Sequence, residues 1–322
     1  MGWMRVSALV AAVAVGGLVG TSAAAVPGRS PAPVETLHRV VWDVPHGDVE
    51  VRGSLPTLDL RSAEVDGSDE RSLLRHDTAR LHDLALDPAG RRAALLVSGW
   101  SGRGHRPTVV VVEVLTGAHR AVRGLRAVDG FVGVEWSPDG RRLLIVGQDR
   151  LAHGRRSALW SVRPDGSHLR RLLVREHRPI LRGDAVWTRR GVVVSDGRGL
   201  LLLRHGRLRM LAVDGYQPQV SGDRTWLYFV RERDGRAELR RMRPDARRQE
   251  LVVPDVRDTP ERGFLQTWAP DHSGGLLLSR FYGPERVSGD PLTYVVHPGE
   301  REPLLSDPVL DFLGGPILVD WN

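Results

Sequence analysis

From Leu81 onward the chain repeats one arrangement: a short apolar run, a cluster of Pro, Asp, Gly and Arg, then another apolar run. Such runs bounded by turn residues read as strands. The segment from Phe131 to Val174 shows the unit best. An inner strand ends at Trp136, Pro138-Asp139-Gly140 makes a turn, and Arg141 to Val146 is the second strand. Ala158 to Arg163 is the third, and Pro164-Asp165-Gly166 turns the chain into Leu169 to Val174. Pro fixes φ, Asp bonds its own backbone, and Gly takes the left-handed position.

Copies of the turn begin at Leu86, Trp136, Trp187, Val220 and Trp268, at offsets of 50, 51, 33 and 48 residues. A period of that length with strand-like contents means a solenoid or a propeller. Four antiparallel strands per unit make a propeller blade. The other units run from Leu81 to Val122, Asp184 to Val213, Tyr216 to Val253 and Phe264 to Leu305. The ends complement one another. Leu55 to Leu74 reads as two outer strands and Val309 to Trp321 as two inner ones, so joining them predicts a sixth blade that closes the ring. The expected fold is an all-β, six-bladed propeller over residues 39–322.

The stretches Trp136-Ser137-Pro138-Asp139-Gly140 and Trp268-Ala269-Pro270-Asp271 carry a family resemblance. Each is similar to the WD-like Pro-Asp repeat of TolB-like six-bladed β-propellers, and the resemblance covers nearly all of residues 39–322. The copies at Trp187 and Val220 lack the Pro. The resemblance implies the fold specifically and a function only loosely. TolB carries an additional N-terminal α/β domain, for which Pro27 to Pro56 has no room, so a lone propeller is expected.

Composition supports many short elements: 36 Gly, 21 Pro and 6% aromatics in 322 residues. The absence of Cys excludes a disulfide framework, a thiolate metal site and a cysteine nucleophile. The net charge of +7 is carried by 46 basic residues that are all Arg, and the one Asn is Asn322. Residues with AT-rich codons are missing together, which points to a GC-rich genome rather than to nucleic-acid binding. Interleaved base-stacking aromatics are also lacking.

The N-terminus reads as an export signal. Arg5 is the only charge before Arg29, Val6 to Gly20 is apolar, and Thr21 to Ala25 offers small residues for cleavage. Residues 1–25 are therefore expected to be a signal peptide and 26–38 a Pro-rich linker. An uncleaved N-terminal membrane anchor is the alternative. The protein is expected to be secreted or held at the cell envelope.

Catalytic signatures are sparse. Gly99-Trp100-Ser101-Gly102-Arg103 lacks the last Gly of a hydrolase nucleophile elbow. Asp-Gly occurs seven times, mostly at strand-to-strand turns where the carboxylate serves the backbone. His76-Asp77 with His82-Asp83 is the densest set of possible metal ligands, but a solvated connection explains it equally, and no metal or cofactor is expected. Trp136, Trp187 and Trp268 occupy equivalent positions that suit packing between blades, with Pro138, Asp139, Gly140, Pro270 and Asp271 shaping the turns. In a four-stranded blade the second-to-third strand loops and the blade connections share one face. Loops Ser98–Pro107, Gly147–Arg156, Ser195–Gly199, Arg231–Arg236 and Arg280–Asp290 read as long and irregular, with a combined charge of +5. Binding residues are commonly carried by loops on a rigid frame. The candidates are Trp100, Arg103, His105, Arg106, Arg150, His153, Arg155 and Arg156. Trp100 is either an interface anchor or a lid folded over its own blade. The expected function is a non-catalytic scaffold presenting this face to a protein or an anionic envelope polymer. The alternative is an extracellular hydrolase or lyase acting on carbohydrate or peptide around the central channel.

Overall fold

The computed structural model describes residues 39–43, 57–64, 69–100, 107–125, 128–149, 156–175, 185–196, 198–221, 224–234, 236–253, 264–270, 276–281, 292–296, 304–305 and 319–321. These form an all-β propeller of four-stranded antiparallel sheets. Sheet II contains β4 (Arg80–Leu86), β5 (Arg92–Ser98), β6 (Thr108–Glu113) and β7 (His119–Ala121). Sheet III contains β8 (Val128–Trp136), β9 (Leu143–Asp149), β10 (Arg156–Val162) and β11 (Arg170–Arg175). Sheet IV contains β12 (Ala185–Thr188), β13 (Gly191–Ser195), β14 (Gly199–Arg204) and β15 (Arg207–Val213). Sheet V contains β16 (Gly215–Val220), β17 (Leu227–Arg233), β18 (Arg236–Met242) and β19 (Glu250–Val253). Sheet VI follows in backbone outline as β20 (Phe264–Pro270), β21 (Leu276–Phe281), β22 (Leu292–Val296) and β23 (Leu304–Leu305). In sheet I, β1 (Arg39–Asp43), β2 (Leu58–Glu64) and β3 (Arg71–His76) are joined by β24 (Val319–Trp321) in the order β24-β1-β2-β3.

Sheet I corrects the expected two-plus-two join. Three strands come from the N-terminal side and one from the C-terminal side, with Val40 opposite Trp321 and Trp42 opposite Val319. The strand missed is β1, Arg-Val-Val-Trp-Asp, five residues without a turn motif of the repeat. The predicted inner strand around Leu310 to Leu313 lies outside the described residues. The 30-residue unit from Asp184, by contrast, forms a complete sheet. Two-residue turns at 189–190 and 205–206 replace the longer turns used elsewhere.

Hydrophobic packing lies between sheets rather than in a single centre. In sheet II, Leu95 and Val97 pack toward sheet I while Ala94 and Leu96 pack toward sheet III. In sheet III, Leu143 and Ile145 pack on sheet II, whereas Leu144 and Val146 pack on sheet IV. Val193, Leu200 and Leu202 continue the series against sheet V. A strand covered on both faces buries every side chain, which is why these segments read as unbroken apolar runs. Burial at roughly 25 cal/mol per Å² makes these layers the main stabilising contribution.

The turns after the innermost strands of sheets II, III and V are built alike. In sheet III, Ser137 N–H donates to the Arg142 carbonyl at 2.8 Å, and Ser137 Oγ accepts from Arg142 N–H at 2.9 Å. Gly140 has φ 64°, the left-handed conformation that the sequence pattern predicts. Asp139 accepts from Ser137 Oγ at 2.6 Å, and these bonds hold its carboxyl below the ordinary value despite desolvation. Ser221 repeats the Ser137 arrangement with Trp226, and Asp87 takes the same place in sheet II. Pro270 ends β20 and Trp268 lies within it, while Asp271 lies outside the described residues.

Candidate functional site

Because the strands alternate in direction, these tight turns share one face of the propeller, the turn face, and the second-to-third strand connections share the other, the loop face. Turn-face connections span two to seven residues. On the loop face, nine residues separate β5 from β6 and six separate β9 from β10. Two expected loops are corrected there. β17 and β18 pair up to Arg233 and Arg236 around Asp234, whose φ is 50°, so Arg231–Arg236 is a tight hairpin. Residues 196–198 are likewise a short connection between β13 and β14. Arg156 is not in a loop but at the start of β10, paired with Asp149. Arg103, His105, Arg106, Arg150, His153 and Arg155 lie outside the described residues.

Trp100 is described, and it packs inward. Its ring stacks on His76 of β3 at 4.6 Å, meets His119 edge-on at 5.5 Å, and packs against the core between sheets I and II. The His76 imidazole bonds the Trp100 carbonyl at 3.0 Å. Gly99 has φ 78°, and a Cβ there would run into the Thr78 carbonyl oxygen. Trp100 therefore closes the start of the loop onto its own scaffold and stays partly exposed.

The His/Asp set disperses. His82 bonds Ser98 Oγ at 2.7 Å, Asp77 lies 3.7 Å from Arg75 in solvent, and Asp83 points elsewhere. Among the described residues, no group of three or more His, Cys, Asp or Glu side chains gathers to hold a metal.

Asp83 belongs to a second place that the sequence left unread. The innermost strands bulge at equivalent points: between Leu81 and Asp83, between Asp129 and Gly133, and between Tyr216 and Gln219. Bulges re-aim side chains. Asp83, only 3% exposed, accepts the Val134 N–H of the next sheet at 2.8 Å. Beside it, partly buried Glu135 is pushed up to about 7, mainly by desolvation; the Asp83 charge adds to the rise and Arg224 opposes it. Arg224, on the turn after β16, donates to the Trp187 carbonyl at 3.2 Å, and burial lowers its pKa against the pull of Glu135. Asp83, Glu135, Gln219 and apolar residues from β8, β9 and β12 line a cavity of about 10 Å³. That is room for about one water.

No family profile matches the chain, and no curated protein matches it. Solved structures do. TolB from Acinetobacter baumannii superposes with a TM-score of 0.62 at 13% identity, over 88% of this chain and 66% of TolB. Acylaminoacyl peptidase from Pyrococcus horikoshii gives 0.56 at 14% identity, over 84% of this chain and 44% of the peptidase. A chain of the nidogen/laminin complex gives 0.56 at 10% identity, over 87% and 98%. The chain thus spans under two thirds of TolB and under half of the peptidase. At these identities the likeness is one of fold alone: the chain is a β-propeller similar in fold to TolB.

Proposed function

We propose that the protein is an exported, non-catalytic binding scaffold: a six-bladed propeller, sealed by the β1–β24 pairing, that offers its loop face to a protein partner. The observation that carries this reading is the contrast between the faces. Matching hydrogen-bonded turns fasten sheets II, III and V on one, while on the other the β5–β6 and β9–β10 connections run to nine and six residues and carry positive charge. Arg103, His105, Arg106, Arg150, His153 and Arg155, with Arg156 at the strand edge, are the proposed contacts, and Trp100 fixes the base of their longest loop. One fold neighbour was solved as a nidogen/laminin complex, which supports protein binding by such a frame. Export rests on the apolar N-terminal run; among the described residues no helix is long and apolar enough to cross a membrane.

A channel hydrolase or lyase is the second reading, favoured by the meeting of Asp83 and Glu135. The cavity beside them holds about one water, and the scaffold is preferred on the contrast between the faces. Crosslinking capture from envelope extract tests the choice, using the unchanged chain and a variant with Arg103, Arg106, Arg155 and Arg156 changed to Ala. Capture by the first and loss with the second is expected. Capture unaffected by the substitutions would displace the loop face. Turnover of an oligosaccharide or peptide that Glu135→Gln abolishes would replace the scaffold by the enzyme.

A further inference from the structure

The turn face over sheets IV and V carries charge that its counterpart over sheets II and III lacks. Connections 189–190, 205–206, 221–226 and 243–249 hold six Arg against two Asp. The matching connections 87–91, 114–118, 137–142 and 163–169 hold four Arg against three Asp. Genome-wide use of Arg acts on both alike and so does not account for the difference.

The charged groups also converge. The Asp245 carboxylate lies 3.5 Å from the Arg190 guanidinium and 3.8 Å from that of Arg247, and its backbone carbonyl accepts from Arg209 at 3.4 Å. Three guanidinium groups, from the β12–β13 turn, from β15 and from the β18–β19 turn, thus meet at Asp245, two at its carboxylate and Arg209 at its backbone carbonyl. Asp245 is held below the ordinary carboxylate range, chiefly by the Arg247 N–H and further by the charges of Arg190 and Arg247. It stays ionised, and the cluster keeps a positive surplus. Arg190 and Arg247 are 52% and 85% exposed, and a guanidinium has five N–H donors to offer.

We propose that this surface docks an acidic protein segment, whose carboxylates take the guanidinium donors facing water. Asp245 already occupies the cluster as a partner's carboxylate would, and planar Arg forks suit that group. Single exposed ion pairs contribute little, so recognition relies on several along one segment. The surface lies opposite the loop face and stands independently of it.

The test is fluorescence anisotropy of a short labelled peptide of alternating Glu and Leu, titrated with the full chain at several salt concentrations. The triple variant R190Q/R209Q/R247Q is expected to weaken binding about tenfold or more and to flatten its salt dependence. D245N removes the internal competitor and is expected to tighten binding, an opposite change that misfolding does not produce. A loop-face triple, R150Q/R155Q/R156Q, is expected to bind as the unchanged chain does, which keeps this result separate from the loop-face proposal. Failure of the unchanged chain to bind, equal weakening by both triples, or binding of polyphosphate but not of the peptide would each overturn the docking site.

Discussion

The Trp136 indole Nε1 donates to the Ala85 carbonyl at 2.9 Å, joining the end of one innermost strand to that of the preceding sheet. Trp136 is fully buried in the core between sheets II and III, so one side chain supplies both the packing and the hydrogen bond of this junction. Trp136→Ala is expected to cost about 3–5 kcal/mol through the cavity it leaves. Trp136→Phe keeps most of the packing but removes the donor, adding about 1–3 kcal/mol for a stranded buried carbonyl to a smaller loss of volume. Urea unfolding of both variants separates these contributions, since both lack the donor and only Ala lacks the ring; a Phe variant as stable as the unchanged chain would mean that the bond contributes nothing.

Glu135 gives the fold a pH signature. Its carboxyl titrates near 7 in the folded chain, above the ordinary value of 4.5. Between those values the folded state holds a proton that the unfolded state has released. The favourable contribution is therefore complete below about pH 4.5 and is lost as pH rises through 7. Relative to Glu135→Gln, the unchanged protein is expected to lose on the order of 2 kcal/mol between pH 5 and 8. Parallel stability curves for the two proteins across that range would show that Arg224 holds the carboxylate charged instead.

Sheets II to V were legible because each central strand is an apolar run closed by a turn motif, and sheet packing on both sides demands that pattern. The strand β1 was not, because Arg39–Asp43 lacks the motif. Asp83 and Glu135 were hidden for another reason. A bulge shifts the two-residue side-chain period, so alternation along β4 or β8 does not say which face Asp83 or Glu135 takes. The Asp245 cluster was beyond reach of spacing altogether, since Arg190, Arg209 and Asp245 come from three connections or strands that only the fold brings together.

Trp100 and Gly99 set the base of the β5–β6 loop. Gly99→Ala places a methyl group against the Thr78 carbonyl and imposes φ 78° on a residue that resists it. A loss of about 1–3 kcal/mol is expected. Trp100→Ala removes the stack on His76 and is expected to raise hydrogen exchange at Thr78 and Gly99 while leaving β13 and β14 protected. Uniform loss of protection across all sheets would mean that Trp100 supports the whole frame rather than this loop.

Asp87 and Arg92 tie the first turn of sheet II to sheet III. The Asp87 carboxylate, 3% exposed, accepts from the Arg91 N–H and from Arg92 Nε, both at 2.8 Å. Arg92 in turn donates to the Gly140 carbonyl at 2.8 Å and lies over the Trp136 ring at 4.6 Å. Asp87→Ala leaves a partly buried guanidinium without its carboxylate and a turn without its acceptor, at an expected cost of about 3 kcal/mol. Arg92→Lys keeps the charge but not the planar fork that serves carboxylate, carbonyl and ring together, and is expected to cost about 1–2 kcal/mol. Combining Arg92→Gln with Trp136→Leu, which remove the cation and the ring, in a double-mutant cycle measures the ring contact itself. A coupling of at least about 0.5 kcal/mol is expected for groups in direct contact. Strict additivity would mean that Arg92 acts on sheet III through Gly140 alone.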